Sequence, residues 1–127
     1  MNGHGGENFF KIQDTELLHS EDFAKVLDEM HLKGLYKEMF LMLDTCEALS
    51  MFDNITAPNL HLLSTSRHNE SALADITDGE LNTFLADKFS AHLSDFLFMP
   101  NGYQHHKEFT LADFTPYFSF DKIKSHV

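Results

Sequence analysis

Cysteine, tryptophan and basic residues are scarce in this sequence, and these shortages narrow the classes of protein to which it belongs. The 127 residues include one cysteine, no tryptophan and three prolines. A single cysteine excludes an intrachain disulfide. Nine Lys and Arg against twenty Asp and Glu give a net charge of −11, which repels phosphate backbones and argues against nucleic acid as a partner.

Long apolar runs are missing as well. None approaches the ~20 residues that a membrane-spanning helix requires. The opening residues Met1-Asn2-Gly3-His4 have neither the basic nor the apolar region of a signal peptide. Hydrophobic residues make up 43% of the chain, an ordinary share for a folded protein. With no repeat, linker or low-complexity segment, residues 1–127 are expected to form one domain.

The apolar pattern predicts strands that alternate with helices. Strands are expected at residues 8–12, 39–43 and 60–63. The second of these is continuously apolar, which is typical of a strand covered on both faces. Strands separated by helices predict an α/β fold with a mostly parallel sheet.

Two longer helices are predicted. Ser20 is expected to cap the first and Gly34 to end it. Its buried stripe is expected to comprise Phe23, Val26, Leu27 and Met30. Thr77 and Glu80 have capping-box spacing at the head of the second helix. Its apolar positions follow the helical period and are Leu81, Phe84, Leu85, Phe89, Leu93, Phe96 and Leu97. Beyond the expected stop at Pro100-Asn101-Gly102, Thr110 is expected to cap a short helix through Leu111 and Phe114.

A thiol and an imidazole are expected to meet at one edge of this sheet. His4 lies in a glycine turn at the end of a predicted strand, and Cys46 follows the polar pair Asp44-Thr45 directly after residues 39–43. Ligands bind at the carboxyl edge of open α/β sheets. A buried, inert Cys46 and a surface His4 are the plain alternatives, and the polar and glycine neighbours argue against them.

This pair predicts a cysteine peptidase or transamidase. Cys46 would be the nucleophile that forms a thioester, and His4 the general acid and base. The backbone amides of Gly5 and Cys46 would form the oxyanion hole.

Other candidate sites have weaker support. No Cys/His pair has zinc-site spacing, although His105-His106 are adjacent, so no metal and no cofactor are expected. The glycine cluster lacks the spacing of a phosphate loop, and the serines lack a GxSxG context. Asn54 and Asn69 begin Asn-x-Ser/Thr patterns and are candidate glycosylation acceptors if the protein enters the secretory pathway.

Taken in order, these motifs resemble one family. They are Gly3-His4-Gly5-Gly6, residues 9–14, Leu43-Asp44-Thr45-Cys46 with Ala48 and residues 50–52, Ala57-Pro58-Asn59, Thr65-Ser66, Asn69-Glu70-Ser71, and Asp87-Lys88-Phe89. On these residues the chain resembles the catalytic subunits of GPI-anchor transamidases, in the legumain-like branch (peptidase family C13) of the caspase-fold cysteine peptidases. The resemblance covers roughly residues 1–98.

The resemblance implies a fold and a reaction. The fold is a caspase-like three-layer αβα sandwich, of which this chain would be the C-terminal portion without the first strands. Cys46 would attack the attachment residue of a precursor protein, and the thioester would pass to the ethanolamine amine of a GPI glycolipid. Thr65 and Ser66 would line the pocket for the attachment residue. The expected partners are the other subunits of a membrane-bound complex in the endoplasmic reticulum.

Two alternatives stay open. A legumain-like cysteine endopeptidase would perform the same chemistry with water as the acceptor. A chain without the first strands of the fold would instead be an inert remnant or an interaction module without activity.

Overall fold

The chain forms two compact units. The computed structural model describes residues 1–13, 15–80, 82–98 and 110–127. The first unit is Met1–Ser71 and the second is Ala72–Val127. The elements of the first unit are β1 (Gly5–Gly6), β2 (Phe9–Ile12), β3 (Glu16–His19), α1 (Ser20–Leu32), β4 (Met39–Leu43), a 3-10 helix (Ala48–Phe52) and β5 (Leu60–Ser64).

The first unit combines parallel and antiparallel strand pairs. β4 and β5 pair in parallel, with Met39 opposite Leu60. An isolated parallel bridge joins Asn2 to Asp44, so the first residues of the chain run alongside the end of β4. β1, β2 and β3 form an antiparallel sheet. The α/β class and the strands at β2, β4 and β5 are therefore confirmed, whereas β3 was not predicted.

Helix α1 ends where the sequence predicts but begins differently. Gly34 has φ +65°, and its amide and that of Leu35 donate to the carbonyls of His31 and Met30, as in a Schellman motif. The prediction that Ser20 is the cap is wrong. His19 occupies that position, and Ser20 is the first helical residue.

The predicted buried stripe of α1 is only partly correct. Leu27 is buried, but Val26 is 52% exposed. Ala24 is buried instead, one helical turn before residue 27.

The core of the first unit lies around the end of β4. Leu43 is 1% exposed, whereas the other residues of β4 are half-buried, so the prediction of a strand fully covered on both faces is wrong for this unit. The buried members of this core are Phe10, Leu43, Ala48, Met51 and Phe52. They come from β2, β4 and the 3-10 helix, and they pack these elements together where β4 ends.

The second unit contains a hairpin where the sequence predicts a helix. Its elements are β6 (Ala74–Asp78), β7 (Thr83–Asp87), α2 (Lys88–Phe98), α3 (Leu111–Phe114), a 3-10 helix (Thr115–Tyr117) and α4 (Phe120–Ile123). β6 and β7 pair in antiparallel fashion. The capping box at Thr77 and Glu80 is therefore wrong, because Asp78 accepts a hydrogen bond from the Glu80 amide and starts a turn instead.

The remainder of the predicted second helix is correct. α2 starts at Lys88, and the Asp87 carboxylate accepts a hydrogen bond from the Ser90 amide in its first turn. Phe89 and Phe96 are buried, and Phe96 contacts the rings of Phe114, Tyr117 and Phe118. The short helix at α3 is confirmed. Leu81, Pro100-Asn101-Gly102 and His105-His106 lie outside the described residues.

A buried carboxylate joins three chain segments at the end of β4. Asp44 is 4% exposed and accepts hydrogen bonds from Asn2 Nδ2 at 2.9 Å and from Thr65 Oγ1 at 2.6 Å. The backbone repeats the connection to the first residues, because the Gly3 amide donates to the Asp44 carbonyl and the Asp44 amide donates to the Met1 carbonyl. The carboxylate thus holds the start of the chain, the end of β4 and the end of β5 side by side.

Replacing this carboxylate should cost stability. Asp44→Ala removes an acceptor from two polar side chains, so we expect it to lower the free energy of unfolding by about 3 kcal/mol. Chemical denaturation of the purified chain measures the change. Asp121→Ala is the control, because that side chain is 96% exposed and should change stability by less than about 0.5 kcal/mol. Equal, small effects of both substitutions would contradict a structural role for Asp44.

Candidate functional site

The structure brings the segments that carry His4 and Cys46 together. Asn2 contacts Asp44 two residues before this pair, and the Asn8 amide donates to Ser50 Oγ four residues after it. The two segments therefore contact each other both before and after the pair.

The two segments also approach each other closely at Gly5. A Cβ atom on Gly5 would lie 2.5 Å from Thr45 Oγ1 and 2.7 Å from the carbonyl oxygen of Phe9. Only glycine fits between these groups. The glycine turn thus lies directly against the residue that precedes Cys46.

The register of β1 directs the Gly5 amide away from β2. Gly5 lies opposite Phe10, and the Lys11 amide donates to the His4 carbonyl at 2.8 Å. Hydrogen bonds alternate along an antiparallel pair, so the N–H of Gly5 points to the side that β2 does not occupy. An amide in this orientation is suited to receive an oxygen that comes from outside the hairpin.

Cys46 lies at the start of a tight turn after β4. Its side chain is half-buried, and His4 is exposed, so both functional groups are accessible at the surface of the unit. Glu47 adopts φ +52°, a left-handed conformation, and the 3-10 helix follows directly. The Glu47 amide donates to the Glu70 carbonyl at 2.8 Å, and its carboxylate accepts from the Asn69 amide at 3.3 Å. The loop at residues 67–70 therefore holds the residue next to the thiol.

Thr65 and Ser66 lie behind the Cys46 turn. Both are fully buried. Ser66 Oγ donates to the Thr45 carbonyl at 2.7 Å and accepts from the Ala48 amide at 2.9 Å. The Ser66 carbonyl accepts from the Leu49 amide. These contacts fix the backbone on both sides of Cys46, and a role of either residue in substrate binding stays a prediction.

Sequence reasoning missed the polar residues that hold the site together. Asn2, Asp44 and Ser50 bond across the two segments, and each lies within a few positions of His4 or Cys46. No local pattern of the sequence indicates the contacts that cross the segments, because they join residues 42 positions apart.

The two glycosylation candidates lie on the first unit. Asn54 and Asn69 are both exposed. Asn54 Nδ2 donates to Ser20 Oγ at 3.0 Å, whereas the structure places Asn69 beside Glu47. Modification of either residue stays a prediction.

The described part of the chain contains no candidate metal cluster and no helix that could span a membrane. Within residues 1–13, 15–80, 82–98 and 110–127, no group of three or more His, Cys, Asp or Glu could hold a metal ion. No helix in these ranges is long and apolar enough to span a bilayer.

The close approach of Gly5 to Thr45 can be tested by substitution. In Gly5→Ala the new methyl group would overlap Thr45 Oγ1 and the Phe9 carbonyl, so we expect a loss of about 1–3 kcal/mol in the free energy of unfolding. Gly79→Ala is the matched control, because a Cβ there meets nothing within 4 Å. Thermal and chemical unfolding of both variants measure the difference. A Gly5→Ala protein as stable as Gly79→Ala would show that the close approach does not exist.

The chain is similar in sequence to known proteins. The family model described as "Peptidase C13 family" matches residues 1–124. GPI-anchor transamidase of Saccharomyces cerevisiae is 37% identical over 127 residues, which is 100% of this chain and 30% of the relative. The corresponding protein of Schizosaccharomyces pombe is 33% identical over 113 residues, 89% of this chain and 29% of the relative, and that of Homo sapiens is 32% identical over 97 residues, 76% and 25%. The chain thus spans less than a third of the length of these relatives, and it belongs to the peptidase C13 family.

Proposed function

We propose that this chain carries the nucleophile and the proton-transferring histidine of a GPI-anchor transamidase. The observation that carries the proposal is the contact between the His4 and Cys46 segments, made by Asn2 with Asp44 before the pair and by Asn8 with Ser50 after it. Membership of the peptidase C13 family and the names of the relatives support the same reaction class. The activity is proposed for the whole protein to which this chain corresponds.

In the first half of the reaction, Cys46 Sγ attacks the carbonyl carbon at the attachment residue of a precursor protein while His4 accepts the thiol proton. The carbonyl oxygen becomes an oxyanion and accepts hydrogen bonds from the amides of Gly5 and Cys46. His4 donates a proton to the nitrogen of the following residue. The C–N bond breaks, the C-terminal signal of the precursor leaves as an amine, and a thioester remains on Cys46.

In the second half, the thioester is transferred to an amine. The ethanolamine nitrogen of the GPI glycolipid attacks the thioester carbonyl while His4 accepts its proton. The C–S bond breaks, the thiol of Cys46 is regenerated, and a new amide joins the protein to the glycolipid. His4 is exposed, which allows an acceptor to approach the imidazole from solvent.

The proposal includes a location and partners. We propose that the protein works in the endoplasmic reticulum within a complex of several subunits, because its relatives bear the name GPI-anchor transamidase and the substrates of that reaction are a secretory precursor and a glycolipid. Thr65 and Ser66 are proposed to shape the pocket for the attachment residue from behind the Cys46 turn, through the contacts that fix its backbone. Asn54 and Asn69 would meet the glycosylation machinery in that compartment.

Substitution of the proposed pair tests the function. In the full natural chain, Cys46→Ala should abolish attachment of GPI to a reporter precursor, because no thioester forms. His4→Ala should lower the rate about 10²- to 10⁴-fold. Complementation of cells that lack the endogenous enzyme, followed by detection of the anchored reporter, measures both. His61→Ala, an exposed histidine on β5, is the control and should retain activity. Normal anchoring by either Cys46→Ala or His4→Ala would show that the pair is misassigned.

The peptidase name of the family favours one alternative, hydrolysis by a legumain-like endopeptidase. Hydroxylamine separates the two reactions, because an amine acceptor converts the thioester to a hydroxamate and water converts it to an acid. We expect the hydroxamate yield to rise with hydroxylamine concentration at the expense of the acid. Mass spectrometry of the cleaved precursor measures this ratio. Acid as the sole product at every hydroxylamine concentration would favour the endopeptidase.

A further inference from the structure

We infer that Ser50 is the positioning residue that couples His4 to Cys46. This inference rests on the proposed function, because it concerns the same thiol and imidazole. Ser50 is fully buried in the 3-10 helix Ala48–Phe52, so its hydroxyl is shielded from solvent. Its hydroxyl contacts both segments of the site after the pair, as the Asp44 carboxylate does before it.

The Ser50 hydroxyl accepts a hydrogen bond from one segment and donates one to the other. Ser50 Oγ accepts a hydrogen bond from the Asn8 amide at 2.8 Å, at the tip of the turn that joins β1 to β2. It donates its proton to the carbonyl of Glu47, the residue after Cys46, at 2.7 Å. The Gly6 carbonyl, two residues after His4, lies 3.4 Å from the same oxygen. Through these two short hydrogen bonds the Ser50 hydroxyl links the hairpin β1–β2, which follows His4, to the turn that follows Cys46.

The contact with Glu47 controls a strained part of the backbone. Glu47 has φ +52°, which an L-residue other than glycine adopts only when its surroundings hold it there. Its carbonyl accepts from both the amide and the hydroxyl of Ser50. Ser50 thus stabilises the conformation that turns the chain immediately after Cys46, while the same oxygen holds Asn8.

The neighbouring polar contacts do not perform this task. Ser66 ties the Cys46 turn to the end of β5, and the Asp44 carboxylate acts before the pair, on the strand side. Beyond His4 and Cys46, Ser50 supplies a polar link between the two segments, beside the apolar packing of Phe10 against the 3-10 helix. Loss of this link should let the imidazole drift from the thiol. Misplacement of a catalytic group by about 1 Å is enough to lower a rate about 10²-fold.

A double-mutant cycle on the reactivity of Cys46 tests the inference in the full natural chain. The rate of alkylation of Cys46 by iodoacetamide is measured in the original protein, in His4→Ala, in Ser50→Ala and in the double variant. We expect His4→Ala to slow alkylation in the original protein and to have almost no further effect when Ser50→Ala is present. Ser125→Ala, which removes a buried hydroxyl from the second unit, is the control and should leave the effect of His4→Ala unchanged.

The outcomes separate the inference from the proposed function. If His4→Ala does not change alkylation in the original protein, the proposed pairing of His4 and Cys46 is wrong. If His4→Ala slows alkylation equally with and without Ser50→Ala, the pairing stands and the role of Ser50 is overturned.

A second variant keeps the test decisive if Ser50→Ala does not fold. Ser50→Cys retains the shape of the side chain, but a thiol is a weak donor and a weak acceptor. We expect kcat of the transfer reaction to fall about tenfold or more while KM stays unchanged, because Ser50 is fully buried and shielded from solvent. A kcat equal to that of the original protein would overturn the inference.

Discussion

The buried carboxylate of Asp44 is the interaction on which the rest of the site depends. A carboxylate that is 4% exposed is costly unless donors surround it, and here Asn2 and Thr65 supply them from two different segments. Burial of the carboxylate favours this arrangement of the segments, because displacement of either one would remove a hydrogen-bond donor from a buried polar group. The first residues of the chain and the end of β5 are thereby placed on opposite sides of β4, two residues before the proposed pair.

Hydroxyl groups continue this support past the end of the strands. A turn that follows a parallel strand loses its ladder partners, so its backbone amides and carbonyls need other ones. Ser66 and Ser50 provide them at Thr45, Ala48 and Glu47. Serine is suited to the task because its hydroxyl both donates and accepts, and its small side chain fits against the backbone. The serine hydroxyls thus hold the backbone of the Cys46 turn, while the half-buried thiol stays accessible from the surface, as a nucleophile requires.

The sequence was informative where a local pattern had one physical meaning. The apolar run of β4, the glycine that ends α1 and the placement of Cys46 after a strand were all predictable from neighbouring residues. The strand β3 was not predictable, since Leu17 is 48% exposed and Glu16–His19 has no clear alternation of buried and exposed positions.

The hairpin β6–β7 shows that apolar residues spaced like those of a helix can belong to two paired strands. Asp78-Gly79 is a turn sequence, and the Asp78 side chain bonds to the Glu80 amide, which competes with a helical cap at the same residues. The true cap of α2 is Asp87, whose carboxylate accepts a hydrogen bond from the Ser90 amide.

The polar network at the site could not be predicted for another reason. Its long-range bonds join residues between 18 and 42 positions apart, and such partners are defined only once the strands are paired.

The geometry of the pair does not by itself choose between an amine and water as acceptor. The contacts that join the two segments lie within Met1–Ser71, and in the proposed reaction they would hold the thiol, the imidazole and the Gly5 amide in the same way for either acceptor. His4 is exposed, so the imidazole can deprotonate whichever nucleophile reaches the thioester. Water is always present at high concentration, and an amine prevails only if it is held against the thioester or if water is kept from it. The specificity of a transamidase must therefore come from groups that restrict the approach to the pair, and the buried residues that build the pair are free to be the same in a peptidase.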